Sequence, residues 1–209
     1  MSKRIIILIP FLYSLLLLNA QDIKLPSPHK EGGMPLMEAL NNRQSIRSFA
    51  NQSLPVQTLS DLLWAAWGIN RPDVSKRTAP SANNRQSIEI YCALPQGLYI
   101  YDAPDHSLKQ VLSEDIRAAT GTQEYVGSAA LNIVFVAKGD SAAYWNDAQK
   151  NAACVNAAFI AQNVYLFCAS DGLGCVVRGS FDGKKLQELM KLGSDKVVVL
   201  AQSVGYPSK

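Results

Sequence analysis

Hydrophobic residues recur along the chain with two different periods, which together predict helices and strands. In residues 53–68, leucine and alanine return every three or four positions, as in a helix with one buried face. Pro55 suits the first turn of this helix, and Gly68 suits its end. Strands are predicted where apolar residues run together or alternate, at residues 87–93, 98–101, 131–137, 175–177 and 196–203.

Two shorter segments also have a helical pattern. Residues 34–41 predict a helix with Met37 and Leu40 facing inward. Residues 181–192 predict another, with Asp182 near the N-terminus, where a carboxylate is favoured by the helix dipole.

The longest predicted helix covers residues 151–170, and apolar residues occupy almost every side of it. A helix that is apolar all round needs burial on every side. In a chain of 209 residues, packing between two subunits is the simplest way to provide it. Gln162 and Asn163 are polar exceptions and are expected to be hydrogen-bonded.

Three segments lack a regular pattern. Residues 21–33 contain two prolines and a glycine pair, which predict an irregular leader segment into a domain of residues 34–209. Residues 107–128 are predicted to be irregular or to form short helices. Residues 70–86 predict a long polar loop, and long ordered loops usually bind something. Its short hydrogen-bonding side chains could bracket the edge of a planar heterocycle.

The first 20 residues have the pattern of a secretory signal peptide. Lys3 and Arg4 precede an apolar run over residues 5–18, and cleavage is predicted after Ala20. This predicts export, most simply to a periplasm, with an uncleaved membrane anchor as the alternative. The apolar run is short for a membrane span.

Composition and charge are those of an ordinary globular domain. The chain is 48% hydrophobic and 18% charged, with a net charge of +3. Removal of Lys3 and Arg4 would leave about +1. The chain has no run of basic residues, so nucleic acid is not an indicated partner.

The cysteines and histidines indicate no metal or catalytic centre. Four cysteines in an exported protein allow zero, one or two disulfides. Cys154 and Cys168 would lie about 21 Å apart on one helix, too far to bond to each other. Apolar neighbours favour buried free thiols at Cys92, Cys154, Cys168 and Cys175, and no spacing resembles a zinc site. We predict His106 at the surface and no Ser-His or Cys-His catalytic pair.

The segment Arg43-Gln44-Ser45-Ile46-Arg47 is the main candidate binding motif. In an extended chain its two arginines and its serine would project to the same side. In a helix the arginines would instead form an i, i+4 pair. Either geometry makes a compact cationic patch suited to a phosphate, which guanidinium groups bind in a bidentate manner. The alternative is an ordinary solvated surface.

Several motifs together resemble the nitroreductase family of FMN-dependent oxidoreductases. They follow one another in the order expected for that family and extend over residues 34–207. They are Arg43-x-Ser45-x-Arg47, the segment 80–86 (Pro-Ser-Ala-Asn-Asn-Arg-Gln), the turn Gly172-Leu173-Gly174, the segment Gly179-Ser180-Phe181-Asp182, and the closing Gly205-Tyr206-Pro207.

The resemblance implies an α+β fold with a mixed, mostly antiparallel central sheet, and an intertwined homodimer that binds two FMN molecules at its interface. By motif match, Arg43, Ser45 and Arg47 would hold the phosphate, the ribityl chain and the pyrimidine edge. Ser81 and Asn84, from the other subunit, would bracket the ring. The backbone at Arg178 and Gly179 would donate to flavin N5, and Lys209 is a further candidate for a phosphate contact.

Within the family, the segments 62–69, 77–82 and 99–102 resemble the subgroup that contains the peptide azoline dehydrogenases. Tyr144 follows Ala143, so the Lys-Tyr pair of that subgroup is not matched. The resemblance implies a ping-pong oxidoreductase that reduces a small acceptor such as a nitroaromatic or a quinone. The flavin carries the redox chemistry, so no catalytic side chain is nominated. The electron donor is either NAD(P)H or an extracytoplasmic donor, and export argues for the second. The alternatives are a flavin-binding protein without turnover, an azoline-type dehydrogenase, and an exported structural dimer.

Overall fold

A computed structural model describes residues 21–139 and 146–208 of the chain. Its centre is a seven-stranded sheet in the order β1-β6-β5-β4-β7-β9-β8, and all six pairings between these strands are antiparallel. A separate hairpin pairs β2 with β3. The strands are β1 Ile23–Lys24, β2 Ile69–Arg71, β3 Lys76–Arg77, β4 Ile88–Leu94, β5 Gly97–Asp102, β6 Ser107–Leu112, β7 Leu131–Lys138, β8 Gly174–Arg178 and β9 Lys196–Gly205.

Four α-helices flank the sheet within the described residues. They are α1 Leu36–Asn42, α2 Val56–Trp67, α3 Asp147–Ser170 and α4 Gly183–Leu189. Short 3-10 helices lie at Pro72–Val74, Ala82–Asn84, Arg117–Thr120 and Glu124–Gly127. The predicted α+β fold with a mostly antiparallel central sheet is confirmed.

Strand β7 divides the core into two layers. Successive side chains of a strand point to opposite faces. Ile133 and Phe135 therefore pack on the face covered by α2 and α3, whereas Val134 and Val136 pack on the face covered by α4. Both faces are covered, which explains the continuous apolar run that predicted this strand.

Helix α3 begins earlier than predicted and is not buried on every side within one chain. Asn146 and Gln149 form a reciprocal capping box that fixes its first turn. Val155 and Phe159 are 53% and 45% exposed. By length and composition α3 could cross a membrane, but it packs against α2 and the sheet, as the core helix of a globular domain does.

Helix α1 has its predicted place but a different buried face. Met37 and Leu40 were expected to face inward, yet they are 76% and 44% exposed. Ala39 is the buried residue of this helix. The prediction of an inward Met37 and Leu40 is wrong for the single chain.

Three segments predicted to be irregular contain strands. Residues 21–33 include β1, which pairs with β6 at the edge of the sheet. Residues 107–128 include β6 as well as two short helices. The polar segment 70–86 contains most of the β2–β3 hairpin rather than a structureless loop.

The prediction of a surface His106 is wrong, because His106 lies in a hydrogen-bond network under the N-terminal segment. Its Nε2 is 2.7 Å from Ser60 Oγ, and its Nδ1 is 2.9 Å from the Tyr101 hydroxyl. The structure therefore contains a Ser-His contact that sequence reasoning did not foresee. Ser60 is fully buried and donates to the Pro26 carbonyl oxygen at 2.6 Å, so the network fastens the leader segment to α2.

All four cysteines are free. Cys92, Cys168 and Cys175 are buried and Cys154 is half-buried, which confirms the expectation of free thiols in apolar surroundings. Burial raises the pKa of the Cys92 thiol well above its ordinary value, so it stays protonated and unreactive.

Several predictions fall outside the described residues. These are the signal peptide over residues 1–20 with its cleavage after Ala20, Tyr144, and Lys209.

Candidate functional site

The Arg43–Arg47 segment lies beside β8, the edge strand of the sheet. Arg43 ends α1 with φ −59° and ψ 120°, so the chain leaves the helix there. The Ile46 N–H donates to the Cys175 carbonyl oxygen at 3.0 Å. Gly174 permits this approach, because a Cβ at that position would lie 2.8 Å from Ile46 Cγ2. The helical alternative for this segment is therefore excluded.

Tyr165 connects this segment to α3 and β8. Its hydroxyl lies 2.8 Å from Ser45 Oγ and accepts a hydrogen bond from the Val177 N–H at 3.0 Å. The Arg43 guanidinium carbon lies 5.2 Å from the centre of the Tyr165 ring, within the range of a cation–π contact. Arg43 and Ser45 therefore meet at one buried tyrosine.

Sequence reasoning did not select Tyr165. The signal was present, because a tyrosine within an almost wholly apolar helix needs a partner for its hydroxyl. What the sequence could not supply was the identity of that partner, which lies 120 residues away.

A cavity of about 360 Å³ opens next to Tyr165, between α3 and the ends of β8 and β9. Its walls include Gln162, Tyr165, Val177, Arg178, Gly179 and Leu200. Gly179 is exposed, and a Cβ built on it would meet no atom within 4 Å. Among the hydrogen bonds of the described residues, the Gly179 N–H has no acceptor. An open surface with a free donor is therefore available at the end of β8.

The Arg178 side chain points away from α3. Its guanidinium lies on the opposite face of the sheet and donates to Ser203 Oγ, the Thr120 carbonyl and hydroxyl oxygens, and Asn132 Oδ1 at 2.8–3.1 Å. Burial lowers the pKa of the Arg178 guanidinium to about 10, so it remains charged at neutral pH. The predicted role of residue 178 concerns its backbone, and that role stays a prediction.

Arg47 is exposed, and Ser81 and Asn84 lie away from this cavity. Ser81 Oγ accepts from the Gln86 N–H at 3.0 Å, and Asn84 Oδ1 accepts from Gln86 Nε2 at 3.1 Å. Arg43 and Ser45 do not line the cavity, but Tyr165 connects them to its wall, which includes Arg178 and Gly179. The single chain does not bring Ser81 or Asn84 to them.

Two larger clefts contain none of the residues 43, 45, 47, 178 and 179. One of about 630 Å³ lies between the leader segment and Trp64, and the other of about 810 Å³ lies beside Arg77 and Glu89. The described residues contain no group of three His, Cys, Asp or Glu side chains that could hold a metal ion.

The pattern that defines the nitroreductase family matches residues 40–206, which include the whole of this site. The chain belongs to the nitroreductase family. It is also 42% identical to a nitroreductase-like protein of Ralstonia eutropha, whose crystal structure superimposes with a TM-score of 0.84 over 90% of each chain. A nitroreductase-like protein of Methanocaldococcus jannaschii is 26% identical over 185 residues, which cover 83% of this chain and 91% of the relative.

One more distant structure with the nitroreductase fold is named after the cofactors that it uses. The NADPH:FMN oxidoreductase of Vibrio harveyi, solved with NAD+, has a TM-score of 0.61 and is 21% identical, over 83% of this chain and 69% of that one. At that identity the likeness shows the fold alone. Membership of the family makes this chain a nitroreductase-family oxidoreductase.

Proposed function

We propose that this nitroreductase-family protein uses FMN to reduce a small electron acceptor such as a nitroaromatic or a quinone. The observation that carries the proposal is the meeting of Arg43 and Ser45 at Tyr165 beside an open Gly179. A guanidinium and a hydroxyl suit the phosphate and polyol groups of FMN. The open backbone at Gly179 suits the close approach of a flat ring.

Bound FMN would supply the hydride chemistry, so the chain needs to provide only binding, orientation and charge. Arg43 and Arg47 would supply fixed positive charge, which stabilises negative charge that develops on reduction. The Gly179 N–H would donate to an acceptor on the ring, and Tyr165 would hold Ser45 and Arg43 in place. The ping-pong order of donor and acceptor remains a proposal drawn from the family resemblance.

The proposed active form is a homodimer. Leu36, Met37 and Leu40 of α1 and Val155 and Phe159 of α3 are exposed apolar side chains on two helices that pack together. Exposed apolar patches of this kind are typical of protein interfaces. A second copy of the chain would cover them and would supply Ser81 and Asn84 to the site.

We also propose that the protein is exported and that NAD(P)H is not its physiological donor. The proposal is supported by the signal-peptide pattern of residues 1–20. Cell fractionation should recover the protein outside the cytoplasm without its first 20 residues. Recovery from the cytoplasm with these residues intact would overturn this part of the proposal.

The direct test of the function is the absorbance spectrum of the purified protein before and after addition of FMN. We expect a bound-flavin spectrum, reduction by a chemical reductant, and rapid reoxidation by a quinone or a nitroaromatic. A flavin that binds but is not reoxidised by these acceptors would indicate binding without turnover. Reduction of the bound oxidised flavin by a thiazoline peptide, which is itself oxidised to the thiazole, would instead indicate azoline-type oxidation. A protein that stays colourless with FMN would overturn the proposal.

A further inference from the structure

Arg178 is a buried cation without a carboxylate partner among the described residues. Its side chain is 7% exposed, and no Asp or Glu oxygen lies within 4 Å of its guanidinium. Its four hydrogen bonds all go to neutral acceptors on Thr120, Asn132 and Ser203. A buried charge is costly unless it is paired, so a guanidinium without a carboxylate partner in the described part of the chain requires an explanation.

The surrounding chain is shaped to admit this side chain. Arg178 Nε is buried and has no acceptor within the described structure. Gly121 lies against it, and a Cβ at residue 121 would be only 2.5 Å from Nε. Despite its burial, the Arg178 guanidinium keeps a pKa of about 10, well above neutral pH. The positive charge therefore persists.

The charge lies directly behind the candidate site. Strand β8 alternates, so that Cys175 and Val177 pack towards α3 whereas Val176 and Arg178 face the other side of the sheet. The backbone of Arg178 nevertheless forms part of the cavity wall next to Gly179. The guanidinium and the cavity are thus separated by one layer of sheet.

We propose that Arg178 is an electrostatic residue that raises the reduction potential of the flavin bound in this cavity, an inference that rests on the proposed function. Two-electron reduction with uptake of one proton adds a negative charge to the flavin ring system. A fixed buried cation stabilises that charge without having to reorganise. With an effective dielectric constant of about 20 and a separation on the order of 10 Å, Coulomb's law gives an effect of roughly tenfold on the reduced-to-oxidised ratio.

A purely structural role for Arg178 makes a different prediction. Its hydrogen bonds join the Arg117–Thr120 helix to β7, β8 and β9, so its loss would also loosen the fold. Loosening alone would weaken oxidised and reduced FMN equally and leave the potential of the bound flavin unchanged. An electrostatic effect changes the ratio of the dissociation constants for oxidised and reduced FMN. That ratio determines the difference in reduction potential between bound and free FMN.

The experiment is a redox titration of bound FMN against reference dyes, together with direct measurement of the dissociation constant for oxidised FMN. Arg178→Gln removes the charge, and Arg178→Lys retains it. Asn132→Asp is an isosteric change that places a carboxylate 3.0 Å from the guanidinium and neutralises it without removing Arg178. Arg117→Gln is the matched control. Arg117 lies on the short helix that contains Thr120, a hydrogen-bond partner of Arg178, and it is already paired with Asp115 at 2.8 Å.

We expect Arg178→Gln and Asn132→Asp to lower the reduced-to-oxidised affinity ratio by at least threefold, on the order of tenfold. Arg178→Lys should keep most of the wild-type affinity ratio, and Arg117→Gln should leave that ratio unchanged. If the Arg178→Gln protein does not fold, the affinity ratio of Asn132→Asp alone tests the inference. Unchanged ratios in the charge-removing or neutralising variants would overturn the inference. A wild-type protein that binds no FMN would overturn the proposed function itself and is detected separately by its spectrum.

Discussion

The side-chain oxygens of Ser45 and Tyr165 lie 2.8 Å apart, although 120 residues separate them in the sequence. Tyr165 also accepts a hydrogen bond from the Val177 N–H, so one hydroxyl joins the segment after α1, the helix α3 and the edge strand β8. These are the three elements that border the candidate site. The Tyr165 hydroxyl therefore helps to fix their relative position, together with the bond from the Ile46 N–H to the Cys175 carbonyl oxygen.

Tyr165→Phe removes this oxygen and keeps the ring on which Arg43 lies. We expect a loss of about 1–3 kcal/mol in the free energy of unfolding, because the half-buried Val177 N–H loses its acceptor. FMN should also bind more weakly, since Ser45 is no longer held. Urea denaturation and FMN titration measure the two effects. Tyr99→Phe is the control, because its hydroxyl accepts only a 3.3 Å bond from Gln110, remote from the site. Equal effects of the two variants on FMN binding would contradict the role of Tyr165.

Arg43→Ala tests the cationic part of the site. Charge-assisted hydrogen bonds contribute about 1.5–3 kcal/mol, so its loss should weaken FMN binding about tenfold or more. Fluorescence titration of FMN measures the change. Lys109→Ala removes one positive charge from β6, near the opposite edge of the sheet, and should leave the affinity unchanged. Unchanged FMN affinity in Arg43→Ala would exclude Arg43 from the binding site.

Gly174 begins β8 and Gly179 follows its last residue. Substitution of each glycine by alanine should have a different effect. A Cβ at Gly179 meets no atom within 4 Å, so Gly179→Ala should keep the free energy of unfolding of the ligand-free protein within about 0.5 kcal/mol. It should weaken FMN binding, because the methyl group occupies the surface that the ring must approach. Unchanged FMN affinity would show that the flavin does not contact this residue.

Gly174→Ala is the companion change. Its Cβ would lie 2.8 Å from Ile46 Cγ2, and overpacking of this kind costs about 1–3 kcal/mol. We therefore expect reduced stability without FMN, measured by urea denaturation. Equal stability of the Gly174 and Gly179 variants would contradict the close packing of residues 43–47 on β8.

The elements with strong hydrophobic patterns were predictable from the sequence. Strand β7 and helix α2 have long, unambiguous apolar patterns, and both lie where predicted. Asp182 is also the N-cap residue of α4, as its position in the sequence indicates. Strands β1 and β6 were missed, because β1 has only two residues next to prolines and β6 carries Ser107, Lys109 and Gln110 among its apolar residues.

The role of the motif residues at the site stays a prediction, whereas the contacts that organise them could not be predicted from the sequence. Arg43 and Ser45 stand out by spacing and by family resemblance. Tyr165 and His106 act through partners on other elements, and no local pattern identifies such partners. The sequence also could not predict that Met37 is exposed in the single chain. An apolar residue on a helix face has the same pattern whether its own chain or another chain covers it.

Phe159→Glu tests the proposed dimer. Phe159 is an exposed apolar residue of α3, about one helical turn after the exposed Val155. Burial of an unpaired carboxylate at an interface is strongly unfavourable, so the variant should be monomeric in analytical ultracentrifugation and should lose FMN. Val111→Glu, at an exposed apolar position on β6, is the control and should remain dimeric. A wild-type monomer that binds FMN would contradict a site built from two subunits.

His106 should make the stability of the protein sensitive to mild acid. Its Ser60 partner already donates to the Pro26 carbonyl, so Ser60 Oγ accepts from His106 Nε2–H, and the unprotonated Nδ1 accepts from the Tyr101 hydroxyl. Burial lowers the pKa of His106 below its ordinary value of 6.5, because it disfavours the charged ring. The unfolded chain therefore takes up this proton before the folded chain does. The stabilising contribution is present above about pH 6.5 and is lost as the pH falls through the folded-state pKa.

We expect the free energy of unfolding, measured by urea denaturation between about pH 7.5 and pH 5, to fall more steeply for the wild type than for His106→Gln. The glutamine can still donate to Ser60 and accept from Tyr101, but it does not titrate. The difference between the two curves isolates the contribution of His106 from that of the carboxylates, which both proteins share. Parallel curves would show that His106 is not held neutral by the folded protein.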